Sequence, residues 1–257
     1  EWERTENLDP TVPNGDDDPD GDIHTNLEEY RAYAHPRQTD DDNDGLANAD
    51  ERDMGTERNA PDSDNDHTTD GWEQQYGLDP LDPGDAVLDT DGDGWTNRAE
   101  YYHRTDPTRY VFRLRAGWND IGVARAPAAG AMATLADNAN VANTAWRETN
   151  GILVAAQEFE SETAYWLWAY ADTELVLPPS PAPTSPTASA TIVLRKGWNR
   201  VSLYGEPTTP AAIDMFADVP AVRLPVLVWT AEGFVEVHLL RPGYGYWVYC
   251  TEDNVVV

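Results

Sequence analysis

The segment Asp89-Thr90-Asp91-Gly92-Asp93-Gly94-Trp95-Thr96-Asn97-Arg98-Ala99-Glu100 carries aspartate at its first, third and fifth positions, glycine at the sixth, asparagine at the ninth and glutamate at the twelfth. Three further segments repeat the pattern: DPDGDIHTNLEE (Asp18–Glu29), DDDNDGLANADE (Asp40–Glu51) and DSDNDHTTDGWE (Asp62–Glu73), with first aspartates spaced by 22, 22 and 27 residues. This is the ligand spacing of a calcium loop of EF-hand type. Alternating carboxylates converge on one side of a tight turn, the backbone carbonyl at position 7 adds an oxygen, and position 9 acts through water. The closing glutamate completes the shell with both oxygens. The candidate metal ligands are Asp18, Asp20, Asp22, His24, Asn26 and Glu29 in loop one, and Asp40, Asp42, Asp44, Leu46, Asn48 and Glu51 in loop two. In loop three they are Asp62, Asp64, Asp66, Thr68, Asp70 and Glu73, and in loop four Asp89, Asp91, Asp93, Trp95, Asn97 and Glu100. His24, Leu46, Thr68 and Trp95 enter through their carbonyls. The expected cofactor is Ca²⁺, about four ions or more.

The charge of the 257-residue chain is distributed to match. Residues 1–109 hold 32 acidic and 8 basic side chains, residues 110–257 hold 15 and 9, and the whole chain is at −30. Such a balance excludes nucleic acid as a partner, since phosphate binding needs clustered Lys and Arg. It also argues against anionic membranes, and no apolar run reaches the ~18 residues of a spanning helix. Four carboxylates about 5 Å apart form six pairs, each repelling by about 0.8 kcal/mol even at the dielectric of water. That is on the order of 5 kcal/mol per empty loop, so the acidic half needs cations to condense. The first residue is Glu1, with no signal-peptide pattern, which reads as a processed form or a fragment.

The loops are not equal. Position 6 prefers glycine for the sharp turn, and loops two and four have Gly45 and Gly94 there. Loop one has Ile23, a β-branched residue that is costly at positive φ, and loop three has His67. Weaker binding or a bent geometry is expected of these two. The flanks read as helices of about two turns, and Trp2-Glu3 with Asn7-Leu8-Asp9-Pro10 matches the flank Trp72–Pro80, as though a further repeat closed at Glu3.

The runs DGWEQQYGLDPLDPGDAVLDTDGDGWTNRAEYYHRTDPT and DGDIHTNLEEY resemble bacterial thrombospondin type 3 repeats. The resemblance covers residues 1–109 and implies extracellular, calcium-loaded rods or spacers with little conventional core. Ile23, His67 and His35-Pro36 depart from the usual pattern.

The second half is a duplication. Leu114-Arg115-Ala116-Gly117-Trp118-Asn119 recurs as Leu194-Arg195-Lys196-Gly197-Trp198-Asn199, and Tyr165-Trp166-Leu167-Trp168 as Tyr246-Trp247-Val248-Tyr249. Trp146 with Gly151 matches Trp229 with Gly233. Periodicity predicts strands at 110–115, 119–124, 141–146, 152–157, 164–170 and 174–177, with counterparts in the second copy. One helix per module is predicted, Ala128–Ala136 and Pro210–Ala217, the latter capped by Thr209. Tyr246–Cys250 is apolar on both faces and reads as a central strand, with Cys250 a small buried hydrophobe. The recurring tryptophans Trp118/Trp198, Trp146/Trp229 and Trp166/Trp247 are expected in the core, while Trp168 is better placed for contact. The pattern resembles GWN…W…GYWVY modules of secreted bacterial proteins, which implies a structural or binding role.

The fold class expected is mainly β: tandem calcium loops with short helices over 1–109, then two small β-sandwich or barrel modules at 110–177 and 191–257. Between them, 178–190 is a Pro/Ser/Thr-rich spacer, with O-glycans possible over 180–191. No constellation for catalysis stands out among the scattered histidines, so no enzyme is expected. Two function classes remain. One is an extracellular, calcium-stabilised stalk or repeating subunit of a bacterial cell-surface fibre that associates with its own copies. The other is a non-catalytic, glycan-binding or adhesion tail of a larger secreted protein.

Overall fold

The structure, a computed structural model, describes residues 1–149, 152–181, 192–203, 215–216, 218–230 and 232–256. The chain divides into two compact units, Glu1–Ala86 and Val87–Val257. The helix expected at Pro210–Ala217, apart from Met215 and Phe216, and the spacer with its glycan acceptors from 182 onward lie outside the described residues.

The first unit is built from short helices: α1 (Trp2–Thr5), α2 (Asn26–Ala32), α3 (Asn48–Met54) and α4 (Asp70–Tyr76). The equivalent α5 (Asn97–His103) follows loop four in the second unit. Helices α2 to α5 all begin at loop position 9 and run for seven residues. Position 8 is the N-cap: Thr25 forms a capping box with Glu28, and the Thr96 hydroxyl accepts from the Ala99 amide. Each helix stops at a left-handed residue: Tyr33, Gly55, Gly77 or Arg104. Two turns of helix are too short to stand alone. Apart from Ala99 in α5, what they bury is polar, namely the first and fourth residues: Asn26 and Glu29, Asn48 and Glu51, Asp70 and Glu73, Asn97 and Glu100. Spacing i, i+3 sets both on one face. In the first unit the buried apolar side chains are only Ala34, Leu46 and Ala86, so its interior consists of carboxylates rather than hydrocarbon.

The second unit contains loop four and both β-modules. The division between compact units therefore falls before loop four. Arg125 explains this: its Nη1 donates to the Asp89 carbonyl at 2.7 Å, and the Ser180 amide donates to the Asp91 carbonyl at 2.6 Å.

Module one comprises β1 (Val111–Leu114), β2 (Gly117–Val123), α6 (Ala131–Asp137), β3 (Trp146–Thr149), β4 (Ile152–Ala155), β5 (Thr163–Ala169) and β6 (Thr173–Val176). Module two comprises β7 (Val193–Leu194), β8 (Gly197–Ser202), β9 (Val222–Thr230), β10 (Gly233–Val237), β11 (Gly245–Cys250) and β12 (Val255–Val256). The antiparallel sheets have orders β2-β5-β3-β4 and β8-β11-β9-β10, with small companions β1-β6 and β7-β12. The two copies thus share one topology, and β11 is central as expected. In module one, Phe112, Leu114 and Leu175 from the small sheet share a core with Ile121, Val123, Tyr165 and Leu167 from the large one. Each module is a sandwich of unequal layers.

The duplicated motif has one job in both copies. Asn119 donates to the carbonyls of Arg115 and Gly117 and accepts from the Arg115 amide; Asn199 does the same with Arg195 and Gly197. The glycine between them, Gly117 or Gly197, sits at φ 104° or 106°, open to glycine almost alone. Tyr165 and Tyr246 each accept, at 2.7 Å, from the amide five residues earlier.

Three expectations are corrected. The strand expected at 141–146 begins only at Trp146, because Ala142-Asn143-Thr144-Ala145 has little β propensity; Val141 makes a single bridge to Ala169. Helix α6 starts three residues later than expected, after Gly130 at φ 102°. Trp118 and Trp198 are not core: they are 47% and 50% exposed, and Trp146, Trp166, Trp229 and Trp247 are half-buried. Alternation along the strand is the reason. Ile121 and Val123 point into the sandwich, so Trp118 and Asp120 point out of it. Cys250 is fully buried in β11 and free.

Removing a side chain inside the sandwich should therefore cost far more than removing a surface tryptophan. Leu167→Ala is expected to lose roughly 2–5 kcal/mol, and Trp198→Ala much less, in urea unfolding followed by far-UV circular dichroism.

Candidate metal centre

The four loops share one internal wiring. The first aspartate takes the amides of positions 4 and 6. Asp18 accepts from Gly21 and Ile23 at 2.8 and 3.0 Å, Asp40 from Asn43 and Gly45 at 2.7 and 3.2 Å. Asp62 accepts from Asn65 and His67 at 2.7 and 2.9 Å, Asp89 from Gly92 and Gly94 at 2.6 and 3.1 Å. Oδ1 of the third position takes the amide of the fifth in Asp20, Asp42, Asp64 and Asp91. Oδ1 of the fifth takes the amide of the seventh, at 2.7–2.8 Å, in Asp22, Asp44, Asp66 and Asp93. The first aspartate thus uses both oxygens to fix the loop, and the third and fifth use Oδ1.

Those amides can converge only if the backbone turns through positive φ. Position 6 does so in every loop: Ile23 at 76°, Gly45 at 98°, His67 at 80° and Gly94 at 104°. The bent geometry foreseen for loops one and three is absent. They adopt the same turn and carry its strain.

Side chains at position 9 close the loop in three of the four repeats. Oδ1 of Asn48, Asp70 and Asn97 accepts from the position 2 amide of Asp41, Ser63 and Thr90. Loop one has Pro19 at position 2, which has no amide hydrogen. Asn26 Oδ1 is accordingly left buried without a hydrogen-bond partner.

The second set of oxygens points inward. Oδ2 of Asp20, Asp42, Asp64 and Asp91 is buried with no hydrogen-bond partner, as are both carboxylate oxygens of Glu29, Glu51, Glu73 and Glu100. The four glutamates are 0–1% exposed. The aspartate triplets Asp18/Asp20/Asp22, Asp40/Asp42/Asp44, Asp62/Asp64/Asp66 and Asp89/Asp91/Asp93 each bring carboxylate oxygens within 4.8 Å of one another. Buried anionic oxygens without donors require a cation. An all-oxygen set of this kind fits a hard divalent ion such as Ca²⁺.

Without an ion, the closing glutamates resist ionisation. Burial, reinforced by neighbouring aspartates, lifts Glu29 to about 7, Glu51 and Glu73 to about 8, and Glu100 to about 10. Asp91 rises to about 9 by the same causes.

Three carboxylates from outside each loop's own ligand set also act on the centres. Asp41 adds its charge to that acting on Glu29, and Arg58 neutralises it from 3.4 Å. Asp70 acts on Glu51. Asp85 comes within 4.8 Å of Asp66 and Glu73. Sequence reasoning missed Asp85, although the long third interval was its signal: the extra residues before loop four contain it. Loops are also tied to one another. Asn48 Nδ2 donates to Asp22 Oδ2 at 2.6 Å, and the Gly71 amide to Asp44 Oδ2 at 2.8 Å. A Cβ on Gly71 would meet the backbone of loop two, so only glycine permits that approach.

Residues 40–56 and 89–109 match the family described as Bacterial TSP3 repeat. Loops two and four are repeats of this type. No curated protein and no solved structure is matched by the chain. TSP3 repeats are structural, calcium-binding repeats of extracellular proteins. Both TSP3 matches fall on loops with glycine at position 6, yet loops one and three reproduce the same wiring with Ile23 and His67. No helix among the described residues is long and apolar enough to cross a membrane.

Two expectations follow. Ile23→Gly removes a β-branched residue from positive φ and should stabilise loop one by about 1 kcal/mol, whereas Gly45→Ile should destabilise loop two by at least as much. Thermal unfolding in calcium reads both. The second concerns pH. A carboxylate whose folded value is raised stabilises the fold below its unfolded value, near 4.5, and loses that contribution as pH climbs through the folded value. The chelated loops should therefore weaken between about pH 5 and pH 8, as Glu29, Glu51 and Glu73 ionise. Calcium should tighten over the same range and release protons on binding, measured by calorimetry in buffers of different ionisation enthalpy.

Proposed function

We propose that this chain is an extracellular, calcium-stabilised structural element that works as a stalk or repeating subunit of a bacterial surface assembly. The observation that carries the reading is the set of four in-phase loops whose inward oxygens are buried without donors. In this reading each loop binds one Ca²⁺ through its aspartates at positions 1, 3 and 5, the carbonyl at position 7 and both oxygens of the closing glutamate. Position 9 supports the shell from behind, and Asp85 adds an oxygen to loop three. Calcium takes the place of a hydrophobic core, which gives a stiff spacer at the millimolar calcium of extracellular fluids. The partner proposed is the chain's own kind, with glycans on the spacer as a further feature.

One observation favours the second reading, a non-catalytic binding tail. Trp118 and Trp168 expose their rings side by side, centroids 5.4 Å apart. Their planes stand at 77°, however, which gives an edge-to-face pair rather than a flat platform for a sugar ring.

Calcium titration by calorimetry, with proteolysis before and after EDTA, tests the core of the proposal. At least four ions and loss of protease resistance over residues 1–109 on chelation are expected; one ion or fewer, or unchanged resistance, rejects it. Glu100→Gln should remove or weaken one site. Light scattering in millimolar calcium separates assembly from a monomeric tail, and a glycan array tests the second reading.

A further inference from the structure

The two β-modules pack through the outer faces of their large sheets, and the centre of the contact is a buried ion pair. Asp120 and Arg200 have side chains 0% and 3% exposed. Arg200 Nε donates to Asp120 Oδ1 at 2.9 Å, its Nη2 donates to the same oxygen, and its Nη1 donates to the Ala164 carbonyl at 3.0 Å.

These two residues occupy equivalent positions of the duplication. Each follows Gly-Trp-Asn, in Gly117-Trp118-Asn119-Asp120 and Gly197-Trp198-Asn199-Arg200. Register confirms the equivalence: Asp120 lies opposite Trp166 on β5, and Arg200 opposite Trp247 on β11. Across the contact the tryptophans are exchanged. Trp247 donates its Nε1 hydrogen to Asp120 Oδ2 at 3.1 Å, and the Arg200 guanidinium lies 4.8 Å from the Trp166 ring centre. Equivalent tryptophans thus serve opposite charges in the two chemically distinct ways indole allows, by its N–H and by its π face.

Small residues let the faces approach. A Cβ on Gly122 would overlap the Tyr244 carbonyl, and one on Gly245 would overlap Asp120. The Gly122 amide donates to the Gly243 carbonyl at 3.0 Å, and Ile121 bridges to Tyr244.

We infer that Asp120 and Arg200 form a recognition pair that makes a first-module face accept only a second-module face. Two first modules would bury two aspartates against each other, and two second modules would bury two guanidinium groups, neither with a counterion. Duplication by itself yields two like faces. Opposite charges at this buried position convert them into an unlike pair. The occupant of the Asp120 face is therefore the Arg200 face, supplied by the same chain or by a second copy. This inference stands independently of the calcium reading.

Two full-length variants test it, Asp120→Arg and Arg200→Asp. Each places like charges at the centre of its own contact. Each alone is expected to stay monomeric with a larger hydrodynamic radius and red-shifted tryptophan emission. Mixed in equal amounts, they should form a 1:1 complex by light scattering. One chain still carries the native Asp120 face and the other the native Arg200 face, so an unaltered interface forms between chains. Two monomers in the mixture overturn the inference. So does either variant keeping the parent's radius and emission. Should one variant be insoluble alone, co-expression of the two with different tags gives the same reading: 1:1 co-purification supports the pairing, and its failure overturns it.

Discussion

The first unit depends on a single constraint, the placement of many carboxylates in a small volume. Each loop meets it by dividing the labour of its aspartates. The first aspartate gives both oxygens to backbone amides of the turn, while the third-position aspartate gives one and turns the other inward with no donor, beside the closing glutamate. The first use fixes the loop's shape before any ion arrives. The second makes that shape unfavourable without one, because buried anionic oxygens lack compensation. Fold and metal binding are in this sense one property of the loop.

The same economy explains the helices. Two-turn segments with polar buried faces have no hydrophobic reason to form. Each nonetheless starts at position 9, with its first residue closing the loop in three of the four repeats and its fourth supplying the glutamate. The contacts Asn48 to Asp22 and Gly71 to Asp44 then make neighbouring loops share hydrogen bonds, so that a loop is held partly by the next one.

The β-modules follow a different logic. Each has an ordinary apolar core between a large and a small sheet. Their joint is polar at its centre, where one ion pair is enclosed by indole rings and close backbone approaches at Gly122 and Gly245. A buried ion pair adds little net stability over well-packed hydrocarbon, while removal of one partner is costly. Its value at this joint lies in which faces it lets meet.

The sequence by itself determined the four acidic loops, their order, the helices that close them and the duplication of the second half. These rest on covalent spacing: carboxylates at alternating positions with a glutamate at twelve leave few geometries, and the repeated Gly-Trp-Asn marks a repeated strand entry. Only the tertiary structure decided which face each tryptophan takes, that position 9 closes its own loop, that Asp85 joins loop three, and that Asp120 meets Arg200. A recurring tryptophan reads alike whether it packs inside a sandwich or between two of them, since both surroundings favour the same side chain. Asp85 and Asp120 each look like one acid among 47. Their roles come from residues brought near by the folding of distant segments, and no local spacing encodes that proximity.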